Sequence, residues 1–154
     1  CVPILEKETR VHKKNCTPIG ISRETIATIT EGMRRACDTG GTGWPLFNFG
    51  IYKLDQSDSL VKSDQFVSIP IACKTGTAEF GPSTGSGQVN THAWFTAFAP
   101  LPAEALAKAG LPEDAQVISG DPEISVTVLV EGAGEGSNVA APIAKKIFEE
   151  WFGR

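Results

Sequence analysis

From Glu123 to Glu131 the chain runs Glu-Ile-Ser-Val-Thr-Val-Leu-Val-Glu, so that Ile124, Val126 and Val128 point one way and the residues between them the other. A period of two is the geometry of a β-strand, and one apolar side per strand describes a sheet with a single covered face. Two further stretches join it. Phe66 to Glu79 reads as a buried strand, and Thr91 to Phe98, rich in aromatics and stopped by Pro100, reads as another. Between them Gly81-Pro-Ser-Thr-Gly-Ser-Gly87 has the composition of a flexible loop, which predicts an antiparallel hairpin with a long connection.

The cover for such a sheet comes from helices. Ser22 is a good N-cap, and apolar groups recur at helical spacing at Ile26, Ile29, Met33, Ala36 and Cys37 before Thr39-Gly-Gly-Thr-Gly43 ends the helix. A second helix is predicted from about Asn138 to Trp151, with apolar residues at Ala140, Ile143, Ala144, Ile147, Phe148 and Trp151. Pro142 lies in its first turn, where a missing N–H costs nothing. Ala103 to Ala109 predicts a short helix in an insertion that runs to Pro122, and residues 44 to 66 predict an aromatic-anchored loop without regular structure. Val2 to Leu5 and Thr9 to Val11 are short β-like pieces ahead of a polar turn around Lys13 to Asn15. The order helix, β, β, β, helix gives an α+β fold, an antiparallel sheet flanked by helices in one folding unit.

At 154 residues, 41% hydrophobic and 21% charged, the chain is long enough for one domain with a core. A net charge of −4, with His12-Lys13-Lys14 as the single cationic cluster, argues against nucleic acid. Arg34 and Arg35 are expected on the solvent face of the first helix. The four cysteines lack C-x-x-C spacing and only two histidines are present, so neither a metal site nor a cofactor is expected. Cys73 reads as a buried, inert thiol, while Cys1 and Cys16 flank a hairpin and can pair in an oxidising compartment. No apolar run reaches the about 18 residues that a membrane span needs.

The chemistry concentrates in Lys74-Thr-Gly-Thr-Ala78, at the end of the strand. Lys74 and Gly76 share one face of the strand, Thr75 and Thr77 the other, and the glycine leaves room for a ligand backbone against the sheet. A fixed cation beside threonine hydroxyls suits a carboxylate, because charge-assisted hydrogen bonds are roughly twice as strong as neutral ones. His92 is tempting as a base, but its place on the adjacent strand favours a structural role. Trp94, Phe95 and Phe98 read as core and pocket wall, and Trp151 as packing for the last helix.

In order along the chain come Glu31-Gly-Met-Arg34, Lys74-Thr-Gly-Thr-Ala78, His92-Ala-Trp-Phe-Thr-Ala-Phe-Ala-Pro100, the Ile124 to Val130 strand, and Gly136-Ser-Asn-Val-Ala-Ala-Pro-Ile-Ala-Lys145. That string, covering Ile21 to Phe152, resembles the C-terminal part of a penicillin-binding protein transpeptidase domain, most closely the class B, elongation-type enzymes. The resemblance implies a β-lactamase/transpeptidase-like fold and acyl transfer by a serine, with D-Ala-D-Ala stem peptides of peptidoglycan as substrate and β-lactams as mimics. It implies that Lys74 serves the proton relay and the pocket's electrostatics. The Thr75 and Thr77 hydroxyls would hold a carboxylate beside Gly76, and the Thr77 backbone N–H would be an oxyanion donor.

The family's Ser-x-x-Lys nucleophile and Ser-x-Asn element precede Lys-Thr-Gly. No Ser-x-Asn occurs here, and Ser59-Leu-Val-Lys62 lies in a polar segment unlike the buried helix the family uses, so it is read as coincidence. Residues 1–154 are therefore expected to be a C-terminal portion, inactive alone and completed by an N-terminal part of the same protein. The start at Cys1 without a methionine accords with that. The parent is expected on the extracytoplasmic face of the bacterial membrane through an N-terminal anchor. A penicillin-sensing receptor domain and a serine β-lactamase or D,D-carboxypeptidase are the alternatives on this fold.

Overall fold

The computed structural model describes residues 20–53, 65–81, 90–102 and 116–153. Expectations for the N-terminal β-like pieces, a Cys1–Cys16 pairing, Ser59 to Lys62, the Ala103 to Ala109 helix and most of the 81–87 loop lie outside them. The described elements are α1 (Arg23–Ala36), a 3-10 turn (Trp44–Leu46), β1 (Gly50–Lys53), β2 (Gln65–Ser68), β3 (Ala72–Phe80), β4 (Asn90–Ala99), β5 (Ile124–Val130) and α2 (Ala140–Phe152). The result is the expected α+β arrangement: an antiparallel three-stranded sheet in the order β3-β4-β5, with helices against it, and a separate β1-β2 pair.

The apolar side predicted from alternation is the covered one. Val126 and Val128 of β5 stand beside Ala97 and Phe95 of β4, and all four are buried. Against them α2 packs Ala140, Ala141, Ala144, Phe148 and Phe152, with Phe148 meeting Phe49 edge-on at 6.1 Å between ring centres. Phe95 and Phe148 are fully buried, each contributing about 2–3 kcal/mol of apolar transfer. Small alanines on α2 let the helix approach while Phe148 fills the space between helix, sheet and the 3-10 turn.

Residues 66 to 79 do not form one strand. Pro70 lacks an N–H and cannot continue a ladder, so the chain breaks at 69–71 and changes sheets. On the near side β2 pairs antiparallel with β1, Ile51 opposite Val67, and the Ile69 amide donates to the Phe49 carbonyl at 2.9 Å. Segment 44–66, expected to be irregular, thus carries the 3-10 turn, all of β1 and the start of β2.

Helix α1 begins where expected, with the Ser22 hydroxyl accepting from the Thr25 amide at 3.1 Å. Its apolar stripe is only partly used: Cys37 at the C-cap is buried, whereas Ile26 and Ile29 are about half exposed. Arg34 corrects the expectation of a solvent-facing pair. It is buried, because spacings of three and four residues bring Glu31 (2.9 Å) and Asp38 (3.0 Å) to its guanidinium, while Arg35 stays exposed on the other side of Glu31. Trp151 also departs from expectation. It lies on the outer side of α2 with its indole N–H 3.5 Å from Glu123, and Phe148 and Phe152 fill the core instead.

Candidate active site

Strand β3 has β4 on one side and no strand on the other among the described residues, so the Lys74–Thr77 segment lies at a sheet edge. Register fixes its faces. Thr75 stands opposite Phe95 and Thr77 opposite Ala93, so both threonines share the side whose continuation is the α2-covered core. Lys74 stands opposite Thr96, and Gly76 opposite Trp94, on the other side. The division of the motif between two faces is the one expected from alternation.

Lys74 is exposed, and its Nζ donates to the carbonyl of Thr75. No carboxylate among the described residues is within ion-pairing distance of it, so its charge is not neutralised by a neighbour there. Beyond it runs a polar row, Thr96 and Thr127, whose hydroxyls are 2.9 Å apart. The Thr75 side chain is half-buried and donates from Oγ1 to Oγ1 of Thr42 at 2.9 Å. Thr77 is exposed, near the end of the covered region.

Two glycines set the surroundings of Gly76. A Cβ on Gly76 would stand 3.1 Å from the Trp94 Cβ, tighter than ordinary packing. Gly136, in the turn that opens α2, is buried against the carbonyls of Trp94 and Gly76, and a Cβ there would come 2.7 Å from the latter. The Gly136 to Lys145 motif therefore touches the Lys-Thr-Gly strand at its first residue, where Gly136 seats on the Gly76 carbonyl.

The beginning of β3 is tied down covalently. Cys73, read from sequence as a free inert thiol, is buried but disulfide-bonded to Cys37, with the Cα atoms 5.7 Å apart. Gly43 lies on this bridge: a Cβ would stand 2.6 Å from one sulfur and 2.9 Å from the other. The Gly43 amide donates to the Ala36 carbonyl at 2.7 Å, folding the 39–43 turn back onto the end of α1. That fold-back is what presents Thr42 to Thr75. Sequence inspection treated the turn only as a helix stop and missed Cys37, Thr42 and Gly136 as neighbours of the motif; the clustered Thr-Gly residues were the available signal.

His92 holds structure, as expected. Its Nδ1 accepts from the Gly132 amide at 3.2 Å, and its ring stacks on Phe80 at 3.9 Å. A depression of ≈ 330 Å³ on the outer side of α2, lined by Ile143, Lys146, Ile147, Glu150 and Trp151, contains none of the motif residues.

Comparison with known proteins follows the same outline. The model of the penicillin binding protein transpeptidase domain matches residues 3–149. Among curated proteins the chain is similar to a peptidoglycan D,D-transpeptidase MrdA of Haemophilus influenzae, 33% identical over 88 residues. That match covers 51% of this chain and 11% of the relative, so the chain spans a small part of that protein's length. No solved structure matches significantly.

Proposed function

The chain belongs to the penicillin-binding protein transpeptidase family, and from that premise we propose that it is the C-terminal portion of an elongation-type peptidoglycan D,D-transpeptidase. Its part is to hold and polarise the substrate. The reaction is serine acyl transfer: the nucleophile attacks the penultimate D-alanine carbonyl of a stem peptide, terminal D-alanine leaves, and an amine from a neighbouring strand resolves the acyl-enzyme. β-Lactams occupy the same site. The serine, its lysine and the Ser-x-Asn element come from the N-terminal part of the same protein, and residues 1–154 alone are inactive.

The observation that carries this reading is a Lys74 with no ion-pair partner among the described residues, beside two threonines in an edge strand of the described sheet. Lys74 starts from the face opposite the threonines, but its Nζ reaches back to the Thr75 carbonyl. A carboxylate lying along the strand would therefore meet the cation from one side and the threonine hydroxyls from the other, and charge-assisted bonds of that kind are short and strong. Gly76 adds no side chain between the strand and an extended ligand. The Thr77 backbone N–H serves as an oxyanion donor. It acts chiefly in the transition state, where charge has moved onto the carbonyl oxygen, and loss of one such donor typically costs about 3–4 kcal/mol of barrier. Lys74 lowers the energy of the same developing charge and serves the proton relay.

The proposed setting is extracytoplasmic, the parent being held there through its N-terminal part; the buried Cys37–Cys73 bridge supports the oxidising compartment, since disulfides persist there. No helix among the described residues is long and apolar enough to cross a membrane.

Labelling with a fluorescent penicillin tests the proposal. The full-length protein is expected to form a long-lived adduct that Lys74→Ala abolishes, and the 154-residue chain to form none. A labelled serine within this chain would refute the division of labour. Rapid turnover of the adduct by the full-length protein would replace the transpeptidase reading with a β-lactamase.

A further inference from the structure

The Thr42–Thr75 contact raises a question of donors. Two hydroxyls 2.9 Å apart own two hydrogens, and only one of them can lie between the oxygens. Without ligand, Thr75 gives its hydrogen to Thr42. A carboxylate accepts only, so Thr75 can hold one only by turning that hydrogen outward. Its Oγ1 is then free to accept, and the Thr42 hydroxyl, which accepts in the empty site, has to turn to donate to it.

We propose that Thr42 is a positioning residue for carboxylate binding: it takes the Thr75 hydrogen in the empty site and, by reversing the pair, donates to Thr75 when a ligand carboxylate arrives. The inference rests on the carboxylate cradle proposed above and extends it to a residue outside the Lys-Thr-Gly motif. No covalent bond is made or broken; two hydroxyl rotors turn. In the reversed state the three groups form a chain, Thr42 O–H to Thr75, Thr75 O–H to carboxylate, and successive hydrogen bonds of that kind polarise and strengthen one another. The empty-state bond meanwhile holds the Thr75 side chain in one rotamer, so less ordering is left to do on binding.

Thr42 is held by three constraints independent of any ligand. The Gly43 amide is bonded to Ala36, Gly43 packs on both sulfurs of the Cys37–Cys73 bridge, and that bridge joins the end of α1 to the residue before Lys74. Turn and strand therefore form one unit, and the hydroxyl pair is carried at a fixed spacing.

The test uses the full-length protein as wild type, Thr42→Val, Thr42→Ser, Thr75→Val and the double variant Thr42→Val/Thr75→Val. Acylation rates are measured with benzylpenicillin and with its methyl ester, which lacks the anion. Thr42→Val is expected to slow acylation by the free acid roughly three- to tenfold, the scale of one net hydrogen bond, and to change the ester rate less than twofold. Thr42→Ser should restore the acid rate, and Thr42→Val should add nothing in the Thr75→Val background. Equal loss on acid and ester in a folded Thr42→Val protein, or failure of serine to rescue, overturns the relay while leaving the cradle intact. If Thr75→Val itself does not discriminate acid from ester, the cradle fails and the relay with it. Should Thr42→Val not fold, as judged by its unfolding midpoint, Thr42→Ala carries the same comparison.

Discussion

Reduction of the Cys37–Cys73 bridge is expected to loosen β3 as well as lower stability, and the size of the loss of stability follows from chain statistics. The two cysteines are 36 residues apart in sequence. Closing a loop of that size removes about 13 cal/mol/K of entropy from the unfolded chain, or about 4 kcal/mol at 25 °C, if the cross-link acts mainly on the unfolded state. Packing adds a local term. Sulfurs bonded at about 2.05 Å must move apart by more than 1 Å once they become thiols, and Gly43 already lies against both. The side able to yield is the 39–43 turn, which carries Thr42. Reduction should therefore raise amide exchange at Gly43 and along the start of β3 before it affects β5 or α2.

The measurement is urea unfolding of oxidised and reduced protein in a Cys1→Ser/Cys16→Ser background, so that only this pair changes redox state. With a slope of about 2 kcal/mol/M, the expected loss is about 2 M in the midpoint. Comparing redox forms of one sequence avoids the cavity that Cys→Ala would leave in the core. A stability difference below about 1 kcal/mol, with the bridge verified in the oxidised sample by mass spectrometry, would refute the loop-closure argument. Unchanged exchange at Gly43 would refute the coupling of bridge to motif.

Gly136→Ala should cost about 3 kcal/mol, at the upper end for overpacking, because the new Cβ meets the backbone carbonyls of Gly76 and Trp94 and neither can rotate away; unfolding midpoints check the cost, and exchange along β3 and β4 checks its location. The Glu31 carboxylate is held down to about 2 from its ordinary 4.5, first by its hydrogen bonds to Arg34 and then by that to Arg35. A depressed acid pKa stabilises the folded state fully above its unfolded value, and that stabilisation is lost as pH falls from 4.5 towards 2. Glu31→Gln is accordingly expected to destabilise by about 1–3 kcal/mol at pH 7, since Arg34 is left buried with Asp38 alone. The gap between variant and wild type should close as pH approaches 2, and a gap independent of pH in urea titrations would exclude the ion-pair network as its source.

What the sequence made legible is what depends on local periodicity. The alternation in β5, the aromatic β4, the Ser22 cap and the faces assigned to Lys74 and Thr75 all depend on residues within a few positions of one another, and all appear in the fold. The merged strand over 66–79 failed for a local reason that was in view: Pro70 cannot sit in a continuing ladder. The Cys37–Cys73 bridge, the Thr42 hydroxyl and the seat of Gly136 are contacts across 36, 33 and about 60 residues, and no periodicity encodes them. Arg34 belongs to neither group, since its partners are only three and four residues away. What hid it was that burial of a cation is decided by the completeness of its partners, and a spacing pattern does not count partners. The same distinction applies at the motif. In the proposed site Lys-Thr-Gly supplies the groups that meet a carboxylate, while their preorganisation would be supplied by a turn from the far end of α1. A graft of Lys74 to Ala78 onto another edge strand should reproduce the charge without the aim, because the bridge, Gly43 and Thr42 would be left behind.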